Sequence, residues 1–321
     1  MPEPRYRLIV TTGLLVVLLV LPLLIDNNKT LTTAILTFII AALAASWNIV
    51  GGFAGQISLG HAAFFGIGSL VTRWLWLQGM PLGLSILASG LAAAAAAFVL
   101  GFPGLRLKGI YFAIGTLALA EAIRITVGNL LPGISALPAT ALREYSLTSR
   151  YYLSFAVLLL TVAISAWLTQ AKVGLGMMSV REDEDAARAI GINVFRHKLA
   201  AFTLSAALAG LAGSSFAYFH VSYYPSLAFS PEWTFDALIV TFVGGVGTVV
   251  GPLLGAIFFV LIRDVLAANL VGIHLLIFGV LFVIVVLLLP GGMIEVWDRF
   301  RLRQRPYWPH FDPTKPAKES D

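Results

Sequence analysis

No residue of this 321-residue chain is cysteine, which excludes a disulfide framework and a thiolate metal site. Charge is scarce too. Lys, Arg, Asp and Glu occupy 37 positions, or 12%, about half the share of a soluble domain. The chain has no G-x-S-x-G, no H-E-x-x-H and no paired aspartates in its apolar runs, so an intramembrane enzyme lacks its catalytic constellation. The glycine-rich stretch 244–255 lacks the Lys-Ser/Thr that completes a P-loop, and ATP is therefore not expected on this chain. Only five histidines are present. No other His, Asp or Glu stands at ligand spacing from His61, so no metal site is expected there.

What fills the chain instead is hydrocarbon. Apolar residues make up 59% and the mean hydropathy is +0.90. Ten hydrophobic segments stand out, at 8–25, 31–50, 61–78, 82–102, 109–131, 151–169, 199–223, 233–247, 250–268 and 271–290. Several approach the ~20 residues that cross a bilayer core. The expected fold is all-α, a polytopic transmembrane helical bundle of about ten spans. Segment 8–25 is longer than the apolar core of a signal peptide and lacks a small-residue cleavage site, so it reads as a retained first helix. Segment 233–268 is broken by GGVGTVVGP (244–252). It is either two short crossings or one crossing plus a re-entrant piece.

Placing the N-terminus inside puts 15 of the 21 Lys and Arg in inside loops and tails. The positive-inside rule thus predicts N-in and C-in, and it explains the net charge of +5 without invoking nucleic acid. Residues 1–298 are expected to form one membrane domain with a cytoplasmic loop at 170–198. Residues 299–321 form a basic, Pro-rich tail near anionic lipid headgroups. PGISALPATALREYSLTS (132–149) reads as an exposed outer loop.

Eight of the eighteen residues in REDEDAARAIGINVFRHK (181–198) are charged. Ser179 and Glu182 have capping-box spacing, with Ser179 as N-cap. Glu182, Asp183, Glu184 and Asp185 then crowd the positive end of the helix dipole. Arg188 follows, and Gly191 suits the position just past a helix end. The pattern predicts a short helix over about 180–190 outside the membrane, with Ala186, Ala187, Ala189 and Ile190 supplying small apolar surface. It is either a solvated linker or a rigid element that seats in a cytoplasmic partner.

The segment REDEDAARAIGINVFRHKLAAFTLSAALAGLAGSSFAY (181–218) resembles the coupling segment of branched-chain amino acid ABC importer permeases of the LivM type. GGFAGQISLGHAAFFGIGSL (51–70), GLRLKGIYFAIGTLALAEAIR (104–124) and GGVGTVVGPLLGAI (244–257) resemble three further blocks of that family. NLLPGISALPATAL (129–142) departs from it, lacking the T-G-G-x-x-G-L element often found there. The resemblance implies an inner-membrane importer for small amino acids, branched-chain ones foremost, with urea, amides or other amino acids as alternatives. It implies as partners a second permease subunit, two cytoplasmic ATPases that bind ATP and Mg, and a periplasmic substrate-binding protein. Glu182, Asp183, Asp185, Ala186, Ala187, Arg188, Gly191 and Ile192 would then form the helix that docks on the ATPase.

Two polar clusters lie within apolar runs. Gln56, Ser58 and His61 sit among six glycines between 51 and 68, with Asn48 just before them. Such a broken helix is tolerated where it is buried in protein or lines a wet cavity. These residues therefore either border a translocation path or are satisfied internally. Glu121 and Arg124 stand at i,i+3 and can pair on one helix side. A structural pair is one reading; a proton carrier at Glu121, making a secondary transporter, is the other.

Overall fold

The computed structural model describes residues 16–24, 27–131, 135–137, 142–143, 145–269 and 291–295, with isolated helical positions at 277, 279, 280, 283 and 287. Positions 8–15 of the first expected span, most of the tenth (271–290) and the tail 299–321 lie outside the described residues.

The apolar runs become helices close to where hydropathy puts them. They are α1 (Asn28–Asn48), continued by a π-helical turn Ile49–Phe53, α2 (His61–Leu77), α3 (Leu82–Gly104), α4 (Ile110–Leu130) and α5 (Leu147–Leu168). After two short helices, α6 (Lys172–Glu182) and α7 (Glu184–Ala189), come α8 (Val194–Phe219) and the one-turn α9 (Pro225–Ala228). Helices α10 (Glu232–Gly244) and α11 (Gly251–Asn269) follow. Side chains outside the apolar pattern start several of them. The Asn27 side chain accepts from the Lys29 N–H at 2.9 Å, and the Asn193 side chain accepts from the Arg196 N–H at 3.0 Å. Each satisfies a first-turn donor that hydrocarbon would leave orphaned.

Five of the helices are long and apolar enough to cross a membrane: Asn28–Phe53, α3, α4, α5 and α8. The first and last of these are the core. Asn28–Phe53 has 78% of its apolar stretch buried and α8 has 67%, whereas α4 has 22%. A helix that is apolar all round is either buried in protein or faces lipid, and α1 is buried, enclosed by α5, α8, α10 and α11.

In lipid, helices associate through close backbone approach rather than hydrophobic expulsion, and glycine supplies it. A Cβ on Gly68 of α2 would lie 2.1 Å from the Gly210 carbonyl oxygen of α8, and one on Gly213 would lie 2.0 Å from the Phe65 oxygen. Segment 233–268 resolves the same way. Gly244 faces Gly251, and Gly255 faces the Val240 carbonyl, so α10 and α11 form a tight antiparallel hairpin. With 13 residues α10 rises only about 20 Å, less than the ~30 Å hydrocarbon core.

At one end of the bundle, the described residues between α4 and α5 are exposed at Ala136, Leu142 and Arg143, as expected of an exposed loop, and the segment is also tied to the bundle. Ser135 and Ala136 pair antiparallel with Tyr223 and Ser222, and Leu137 is 4% exposed. Two buried arginines close that end by donating to the last carbonyls of α8 and the residues after it. Arg150 Nε reaches Tyr218 O at 2.9 Å, and Arg73 Nη2 reaches Val221 O at 2.7 Å. Arg150 is also stacked between Tyr145 and Tyr218, 3.6 and 4.3 Å from their ring centres. A helix C-terminus carries unpaired carbonyls and partial negative charge, which accounts for cations held there.

Replacing Gly68 with Leu should therefore force α2 from α8 and cost at or above the roughly 1–3 kcal/mol typical of overpacking. Thermal unfolding of the detergent-solubilised protein measures it. Gly83→Ala, where a Cβ meets nothing within 4 Å, should leave the transition in place.

Candidate functional site

The charged segment does not form the single helix over 180–190 that its sequence suggests. The Ser179 hydroxyl donates to the Leu175 carbonyl at 3.0 Å inside α6 and caps nothing. The break comes at Asp183, whose backbone is extended (φ −157°, ψ 118°). Its carboxylate accepts from the N–H groups of Asp185 and Ala186 at 2.8 and 2.9 Å. Two start signals overlapped in the sequence. Buried Met177 and Val180 carry α6 through the first one, and the aspartate makes the stronger cap at the second.

The far end of α7 matches the expectation. Gly191 has φ +86°; the Gly191 N–H donates to Arg188 O at 3.0 Å, and the Ile192 N–H donates to Ala187 O at 3.0 Å. These two bonds form a Schellman closure. Ala187 turns inward at 2% exposure, packed with Val180, Val194 and Ile192 in a small core of its own. Of the expected docking residues it is therefore the one hidden within the subunit. Ala186 and Ala189 face outward, and Ile190 is 74% exposed.

Arg188 pairs with Asp185 and Glu184 along α7. Lys198 of α8, nearly buried, pairs with Glu184 and pins α7 to the membrane bundle. Beside them opens a cleft of about 700 Å³ lined by Arg106, Lys108, Glu184, Arg188, Asn193 and Lys198 among others.

Behind α6 lies a junction of irregular backbone. Arg181 Nη1 donates to Gly52 O of the π turn at 2.7 Å. Asn48, 1% exposed, donates through Nδ2 to Thr248 O and accepts from the Gly247 N–H, both at 2.8 Å. A Cβ on Gly247 would lie 2.4 Å from Arg181 Nη1, and one on Gly52 would lie 2.7 Å from the Gly247 nitrogen. The two glycine-rich blocks, 51–68 and 244–257, thus meet at one place, with the charged segment on top.

The other polar residues of the first block form a relay. Ser205 donates to Ser46 O at 2.6 Å, so its oxygen accepts from His61 Nε2–H. His61 Nδ1 is left to accept from the Ser58 hydroxyl at 3.3 Å. Asn48, Ser58 and His61 are committed to internal bonds. Gln56 is buried as well, and its Oε1 accepts no hydrogen bond. The helix-side pair is formed: Arg124 Nε donates to Glu121 Oε2 at 2.8 Å. Among the described residues no group of three His, Asp or Glu could hold a metal ion.

Comparison with known proteins decides the family. The family described as "Branched-chain amino acid transport system / permease component" matches residues 29–286. The chain belongs to this permease family. It is 32% identical to the high-affinity branched-chain amino acid transport system permease protein LivM of Escherichia coli, over 88% of this chain and 74% of that one. To its counterpart in Salmonella typhimurium it is 31% identical over the same shares. It is also 32% identical to the autoinducer 2 import system permease protein LsrC of an Enterobacter species, over 59% of this chain and 57% of that one. No solved structure matches the chain.

As a member of this permease family the chain is a multi-pass membrane protein. Several residues that organise its site carried no local signal. Arg181 and Lys198 looked like loop charges, yet they tie the charged segment to the π turn and to α8. Their partners lie 129 and 14 positions away, beyond the reach of helical periodicity.

The two backbone N–H bonds, led by that from Ala186, hold the Asp183 carboxyl below its usual pKa. A carboxylate so depressed stabilises the fold above its ordinary pKa, and that contribution is lost as pH falls through the lower folded value. Hydrogen exchange at the Asp185 and Ala186 amides should stay slow from neutral pH into the ordinary carboxylate range and quicken only below it. Asp183→Asn should remove that pH dependence, and Asp183→Ala should leave the amides fast throughout.

Proposed function

We propose that this chain is one of two permease subunits of an ATP-driven importer in the bacterial inner membrane. It carries small amino acids, branched-chain ones foremost, toward the cytoplasm. About ten spans cross the membrane, the short α10 among them, with both termini inside, so that α6, α7 and the glycine junction lie on the cytoplasmic face. Two ATPase subunits bind ATP and Mg there, a periplasmic binding protein delivers cargo at the opposite end, and this chain binds neither nucleotide nor nucleic acid.

One observation carries the reading. A short helix, capped at both ends and presenting Ala186, Ala189 and Ile190, is joined through Arg181 to the broken end of the central helix α1. A solvated linker needs neither stiff closures nor a long-range tie. A lever needs both: a surface small enough to seat in a groove, and a connection that moves something when the groove closes. Arg181 is the positioning residue. Motion of α6 and α7 reaches Gly52 through its guanidinium, and Asn48 carries it on to the α10–α11 hairpin.

The measurement is uptake and ATP hydrolysis by the assembled transporter in proteoliposomes. Wild type should accumulate leucine only with ATP. Arg181→Gln should cut uptake about tenfold or more, the scale of one lost charged hydrogen bond, while ATP hydrolysis continues. Arg181→Lys should recover part of the uptake. Leucine uptake that survives without the ATPases and collapses with the proton gradient would make the chain a secondary transporter instead. Uptake of autoinducer 2 but not leucine would move the cargo toward that of the LsrC relatives.

A further inference from the structure

Helix α4 is the least covered of the five long apolar helices, and it carries the charged pair. The Glu121 and Arg124 side chains are 38% and 36% exposed, on a helix with 22% of its apolar stretch buried. Glu121 is the twelfth of 21 residues, about 16 Å along the axis and so near the middle of a ~30 Å core. Arg124 could have extended toward the nearer helix end, as long cationic side chains do at interfaces. It folds back one turn instead, with Nε and Nη2 both on Glu121. The pair is therefore held at mid-depth.

A mid-depth ion pair open to lipid is expensive. Two of the five guanidinium donors reach Glu121, and among the described residues no other acceptor is recorded for Arg124. The remaining donors require water or a polar surface beyond the described residues. The helix also has space there. A Cβ on Gly128, one turn beyond Arg124, meets nothing within 4 Å.

We infer that α4 borders a water-filled translocation path shared with the second permease subunit. There, Glu121 and Arg124 meet the ammonium and carboxylate of a zwitterionic cargo as it passes. The chemistry is matched in sign. A carboxylate attracts an ammonium, and a planar guanidinium takes a carboxylate in two parallel hydrogen bonds. The pair neutralises itself between passages, so no charge is left alone at membrane depth. This inference rests on the proposed importer function.

Absence of cysteine makes the test clean. Leu117→Cys and Gly128→Cys, one turn to either side of the pair, are placed singly in the assembled transporter in lipid nanodiscs, with both faces in buffer. A charged, water-soluble thiol reagent should label both, and leucine with binding protein and ATP should slow the labelling. Gln78→Cys, in the exposed turn between α2 and α3, is the positive control. In proteoliposomes, Glu121→Gln should raise the leucine concentration for half-maximal uptake about tenfold, with ATP hydrolysis retained. Silence at both positions while Gln78→Cys reacts, or labelling indifferent to leucine, overturns the inference. So does full recovery of half-saturation by exchanging the two charges, Glu121→Arg with Arg124→Glu, because a purely structural pair tolerates that exchange. Leucine uptake by wild type without ATP would instead sink the importer reading, and it leaves the labelling pattern readable on its own.

Discussion

The side-chain amide of Asn48 does for two broken helices what water does at a soluble surface. Its donor takes the Thr248 carbonyl and its acceptor takes the Gly247 N–H, while α1 loosens into a π turn immediately after it. In hydrocarbon an unsatisfied backbone group costs several kcal/mol, so irregular chain persists only where something polar meets it. Here one buried amide allows the end of α1 and the loop of the α10–α11 hairpin to be irregular side by side. Gly52 and Gly247 are the residues small enough to let those backbones approach.

That arrangement creates a soft place between stiff ones. Helix α7 is closed by an aspartate at its start and a Schellman turn at its end, and the α2–α8 contact is backbone against backbone. Between them, the π turn and the glycine loop are joined by side-chain hydrogen bonds and not by continuous helical backbone. In the proposed coupling, motion introduced at the charged segment enters the bundle through this irregular place and passes on to the α10–α11 hairpin. Arg181 reaches from α6 into that place, which gives a physical route from an exterior surface to the central helix.

Charges within the bundle obey the same demand for a partner. Arg73 and Arg150 lie against the carbonyl-rich end of α8, where the helix dipole is negative, and Arg150 gains two aromatic faces as well. Lys198 has Glu184. Glu121 and Arg124 have each other but little else from this subunit, and they lie on its least covered helix. That contrast sets α4 apart from the arginine-capped end of the bundle, where each cation is enclosed by its own chain.

Much of the architecture could be read along the chain. Apolar runs of bilayer length mark α1, α3, α4, α5 and α8 to within a few residues, because hydrophobic length and helix caps are local properties. The i,i+3 spacing announced the Glu121–Arg124 pair, and Gly191 announced the end of α7, since φ near +86° is cheap only for glycine. Local signals failed where two of them competed. Ser179 and Asp183 both advertise a helix start, and burial of Met177 and Val180 chose between them. They also say nothing about distant meetings. Asn48 finds its partners about 200 positions away, Arg181 finds Gly52 at 129, and Ala187 turns inward because Val180 and Val194 happen to frame it. Those outcomes follow from how the helices pack against one another, since a side chain's neighbours across a bundle are set by three-dimensional packing and leave no period in the sequence.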